Sequence, residues 1–201
     1  MEEFKRALIA IEKESDLIDF CRKRMLHGTP YVFFDREDDY YEFRKRIAEH
    51  FGIAFHEIFI TGSAKLGFSA HKFKDFDYES DVDVAIVSPK LFDQFLDWTQ
   101  NYQMNLREAR NAVTAKEIQM YHEFLEYVAI GWIRPDKLPY SFRIGSIKES
   151  WFNFFQSISY SNSEIGNYKV SGGVFKSYAH LEKYTLSGLM KIKKRLDIRK
   201  E

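Results

Sequence analysis

The chain carries one cysteine, Cys21, so it can form no internal disulfide and no multi-cysteine zinc site. That fits a reducing compartment, and a cytoplasmic location is the expectation. It has no excess of either charge, because Lys+Arg and Asp+Glu both number 30. No global basic field draws nucleic acid, so any such contact needs a local patch. Long apolar runs are missing too, and none approaches the ~18 residues of a membrane span. No membrane association is expected. The opening MEEFKRALIAIEKESD is charged throughout, unlike a secretory leader.

Apolar residues are not scarce. They make up 45 % of 201 residues, which supports a real core and excludes wholesale disorder. That length suits one sizeable domain, alone or with a helical extension. The 19 Phe, 12 Tyr and 3 Trp either fill that core or, in part, offer surface rings for stacking bases.

Periodicity gives an α/β pattern with few strands and many helices. Leu8, Ile11, Leu17, Ile18 and Met25 predict one helix over 2–27, stopped by Gly28-Thr29-Pro30. A second helix is predicted over 39–51. Residues 57–61 read as a strand, 63–68 as a short helix and 70–79 as a loop. Residues 81–87 form a strand of strong β propensity. Ser88 and Pro89 suit the N-cap and first turn of the next helix. A long helix follows over 104–130, then a turn at Pro135 and Pro139. Residues 150–158 read as helix, 168–175 as an extended stretch interrupted by Gly172-Gly173, and 176–197 as the last helix.

The chemistry concentrates between residues 58 and 92. IFITGSAKLGFS (58–69) is followed by a polar excursion and then SDVDVAIVSPKLF (80–92). Side chains alternate along a strand, so Asp81 and Asp83 point the same way. Two carboxylates so placed form a pincer for a hard divalent cation, Mg²⁺ or Mn²⁺. Gly62-Ser63 ends the preceding β-branched run where strand turns to helix, and amides at such a turn favour phosphate. A phosphate cradle beside a metal pincer is the equipment of nucleotidyl transfer. Lys65, Lys169, Lys176 and Lys183 are candidate phosphate partners, the last two of these seven residues apart. Asp75, Asp77 and Glu79 read as solvent charges, and the basic tail 191–200 as an exposed helix face. His71, His122 and His180 lack a ligand spacing with one another.

Gly62-Ser63 after an apolar strand, with Asp81-Val82-Asp83 opening the next, resembles the signature of the polymerase-β-like nucleotidyltransferase superfamily. GSAKLGFS and SDVDVAIVSPKLF are similar to bacterial nucleotidyltransferases of defence islands. Those include relatives of enzymes that make oligonucleotide signals against phage, and the Hailong-type nucleotidyltransferases. The likeness covers 58–92 and extends more weakly through YKVSGGVFKSYAHLEKY (168–184). It implies a single α/β (α+β) nucleotidyltransferase domain over 1–201. Its core motif region would be 31–100 and its helical extension 101–201. The sheet would be small and mixed, with helices packed on one side. Asp81 and Asp83 would be catalytic and bind Mg²⁺ or Mn²⁺. Gly62, Ser63, Lys65, Lys176 and Lys183 would hold a nucleoside triphosphate. The acceptor would be a nucleic-acid or protein hydroxyl, with an effector or antitoxin protein as a further partner.

Two features depart from that pattern. The superfamily supplies a third carboxylate from a later strand, but Glu126, Asp136, Glu149 and Glu164 all read as helix or turn residues. The spacer before Asp81 is longer than in the shortest members. A second reading therefore stays open: a regulatory module that binds nucleotide or nucleic acid without efficient turnover.

Overall fold

The structure is a computed structural model and describes residues 1–110, 112–139, 141–142 and 147–198. It is an α+β fold. Helices α1 (Glu2–Ile9), α2 (Glu14–Cys21) and α3 (Glu37–Phe51) lead into β1 (Ile58–Thr61), α4 (Gly62–Leu66), β2 (Phe68–Ser69), β3 (Lys74–Asp75) and β4 (Val82–Val87). Then come α5 (Pro89–Arg107), α6 (Ala115–Ala129), β5 (Trp132–Ile133), α7 (Ile147–Ser157), β6 (Val170–Phe175) and α8 (Tyr178–Ile198).

The main sheet has the order β1-β4-β6-β5. β4 runs antiparallel to β1 and parallel to β6, and β5 lies antiparallel to β6. β2 and β3 pair as a separate two-stranded ribbon; β3 lies inside the stretch expected to be loop, and β2 begins at Phe68, where the expected short helix would end. The stretch 101–201 is therefore not a purely helical extension. It returns two strands, and β6 sits inside the sheet directly beside the motif strand.

Helices cover both faces of the sheet, not one. The reason lies in β4: Val84 and Ile86 point one way, Ala85 and Val87 the other, and all four are buried. Both faces are thus apolar and both need cover. Val84 and Ile86 pack with Phe43, Ile47, Phe95, Phe124 and Phe154 from α3, α5, α6 and α7. Ala85 and Val87 pack with Leu8, Leu17, Leu181 and Ile192 from α1, α2 and α8.

Gly172 and Gly173 do not interrupt β6. A Cβ at Gly172 would stand 2.2 Å from the Phe155 ring, and one at Gly173 would stand 2.6 Å from Trp132 Nε1. Bulky rings press on both faces of the strand, and only glycine leaves them room.

Three expected helical features differ. The first helix breaks after α1; Lys13 is extended, and α2 continues into a π-helical turn over Arg22–Leu26. The 104–130 helix is two helices. α5 ends at Arg107, Ala109 takes a φ of 51°, and Thr114 with Glu117 forms a capping box that starts α6. Ser88 precedes α5 as expected, but its hydroxyl makes no cap hydrogen bond.

Candidate active site

Asp83 stands on one rung shared by three strands. The register sets it opposite Thr61 of β1 and Ser171 of β6. Asp81 immediately precedes β4, two residues from Asp83 and therefore on the same face. That face is the one α8 covers, and both aspartates line a cavity of about 730 Å³. Gly62 and Ser63 line it too. The sequence therefore brings its two aspartates and its glycine–serine turn to one place.

The fit between Gly62 and Asp83 is close. Gly62 has a φ of 66°, and a Cβ there would lie 3.1 Å from Asp83 Oδ2. The missing Cβ lets the carboxylate pack directly against the turn. Ser171 Oγ donates to Asp83 Oδ1 at 3.2 Å. Lys169 Nζ donates to Asp81 Oδ2 at 3.2 Å. Asp83 faces solvent at the cavity floor, yet the walls strip enough water from it to raise its pKa. The Ser171 hydrogen bond opposes that rise, repulsion from Asp81 adds to it, and Arg134 and Lys169 pull against it.

Three lysines expected at the phosphates lie elsewhere. Lys65 is buried, and its ammonium donates to the carbonyls of His27 and Gly28. Burial pushes its pKa down to about 8. Its place follows from α4 itself: two residues past Ser63 is about 200° around a helix, the opposite face. Lys176 precedes α8, and its ammonium sits 5.7 Å from the centre of the Phe92 ring. Lys183 is exposed and does not line the cavity. On α8 the cavity-lining positions include Tyr184, Gly188 and Lys191, about 100° from Lys183.

The cations that do line the cavity are Arg134, Lys169 and Lys191. Lys169 was among the sequence candidates. Arg134 follows a two-residue strand with little periodic signal, and Lys191 belongs to the stretch read as an exposed helix face. Ser171 is visible only through the β4–β6 register, which no local pattern encodes.

None of the four third-carboxylate candidates joins Asp81 and Asp83. Asp136 lines the cavity, but both its oxygens accept from Arg134, at 3.1 and 2.6 Å. Glu164 pairs with Arg46 at 2.6 Å. Glu126 and Glu149 lie outside the cavity lining. Among the described residues, no group of three or more His, Cys, Asp and Glu gathers where a metal could be held.

The donor set therefore fits one hard cation completed by substrate oxygens. Mg²⁺ commonly takes one or two carboxylates plus phosphate and water. Among the described residues no helix is long and apolar enough to cross a membrane. Comparison with protein-family models, with curated proteins and with solved structures finds no match to the chain.

Proposed function

We propose that the chain is a nucleotidyltransferase. It takes a nucleoside triphosphate, transfers the nucleoside monophosphate to a hydroxyl and releases pyrophosphate. The observation that carries this reading is the meeting of Gly62-Ser63, Asp81 and Asp83 on one cavity. Gly62, lacking a Cβ, lets the Asp83 carboxylate approach the turn closely.

Asp81 and Asp83 would hold a Mg²⁺ or Mn²⁺ ion. When bound, that ion supplies charge neutralisation and alignment at the reacting phosphate. Ser63 and the amides of its turn orient the β- and γ-phosphates. Lys191, on the α8 wall, adds positive charge to the triphosphate, the role expected of Lys65, Lys176 and Lys183. The acceptor oxygen bonds to the α-phosphorus and gives its proton to solvent, the α–β bridging bond breaks, and pyrophosphate leaves with that electron pair.

The acceptor is a nucleotide or a protein hydroxyl. A cytoplasmic antiviral setting, with an effector or antitoxin partner, rests on the resemblance of residues 58–92 alone. One observation favours a second reading. Asp81 and Asp83 already have partners in Lys169 and Ser171, which suits a module that binds nucleotide and turns it over weakly or not at all.

The test is incubation with each labelled NTP and dNTP in Mg²⁺ or Mn²⁺. Label in an oligomer or on protein, lost in Asp83→Asn, supports the enzyme. Nucleotide binding without transfer supports the second reading.

A further inference from the structure

β6 brings charge to the site as well as backbone. Val82 pairs with Val170 and Asp83 with Ser171 in the parallel register, and Val82 N–H donates to the Lys169 carbonyl at 2.8 Å. Lys169 and Ser171 thus emerge on the same face and at the same edge as the two aspartates. The Lys169 ammonium lies 3.2 Å from Asp81 Oδ2. A serine, with no charge, occupies the rung beside Asp83. The one remaining acid of the cavity lining, Asp136, is held by Arg134 through both oxygens.

Two-ion phosphoryl transfer places a second cation beside the first, and each further cation calls for more negative charge from the protein. Here only Asp81 and Asp83 are left in the cavity lining to hold ions, and the Lys169 ammonium already stands beside Asp81. The Lys169–Asp81 pair is about half exposed on both sides. Exposed pairs are worth little, so Lys169 can leave Asp81 for a phosphate oxygen at small cost.

We propose that this site takes a single divalent cation, and that Lys169 supplies from the protein the positive charge that a second ion would bring. The assignment rests on the nucleotidyl-transfer reading. Without substrate, Lys169 neutralises Asp81 and competes with the ion. With substrate, Asp81 and Asp83 would hold the ion while the Lys169 ammonium turns to the triphosphate.

Counting bound Mn²⁺ by electron paramagnetic resonance tests this. The protein is titrated with Mn²⁺ alone, then with Mn²⁺ and an ATP analogue whose α,β-bridge is methylene. One Mn²⁺ per chain is expected in both series. Lys169→Met should bind that ion about threefold more tightly in the metal-only series, because a competing charge is gone. Lys169→Arg, which keeps the charge, should retain the wild-type affinity. Two ions per wild-type chain, or an unchanged affinity in Lys169→Met, overturns the inference and leaves nucleotidyl transfer standing. A wild-type chain that binds no Mn²⁺ in either series overturns both.

Discussion

Gly62 and Asp83 are fitted to each other. The glycine holds a φ of 66°, and any Cβ it carried would stand 3.1 Å from Asp83 Oδ2. Gly62→Ala therefore meets two obstacles, the left-handed backbone and the carboxylate. The backbone alone should cost about 1–2 kcal/mol of stability. Transfer should fall far more than folding does, because the intruding methyl fills the space between turn and pincer. Urea unfolding and the labelling assay on the same variant separate the two effects.

Lys191 and Lys183 should behave differently although both lie on α8. Lys191 lines the cavity and Lys183 does not. Lys191→Met should weaken binding of a fluorescent ATP analogue on the order of fivefold, the loss of one charge-assisted contact. Lys183→Met should leave it unchanged.

Lys65 makes a prediction about alkaline stability. Its folded pKa is about 8, against 10.5 when unfolded, so between these values the unfolded chain binds more protons. Stability contributed by this group rises with pH across that window, and the slope vanishes below it. The rise should amount to about 3 kcal/mol at most. Urea titrations through the window should show it as a difference between the wild type and Lys65→Met.

Glu117 makes a prediction of the same sign at acid pH. Its side chain accepts from the backbone N–H groups of Thr114 and Ser141, which with the neighbouring hydroxyls hold its pKa near 2, below the ordinary 4.5. Its stabilisation is fully present above the unfolded value and is lost as pH falls from 4.5 toward 2. Glu117→Gln should unfold more readily at neutral pH and show a flatter acid limb by circular dichroism.

The elements around the motif were legible because each has its own local signal. β-branched residues mark β1 and β4, and Pro89 at the first helical turn marks the start of α5. The start of α6 also has a local signal: Thr114-x-x-Glu117 is a capping-box pattern. The rest was set by distant pairing. Ser171 and Lys169 gain their place from a β4 partner 88 residues away, and Lys65 loses its expected role to the carbonyls of His27 and Gly28. Lys176 and Lys183 are two helical turns apart in sequence, but α8 begins only at Tyr178, so the spacing does not relate them.

The central claim is that Asp81, Asp83 and the Gly62-Ser63 turn converge on one metal-bound triphosphate. Anomalous diffraction from crystals grown with Mn²⁺ and the methylene-bridged ATP analogue tests it most directly. The account predicts a single manganese peak bridging the two aspartates, with the phosphates seated against Gly62 and Ser63. A nucleotide bound in another cavity, or a peak remote from both carboxylates, contradicts it.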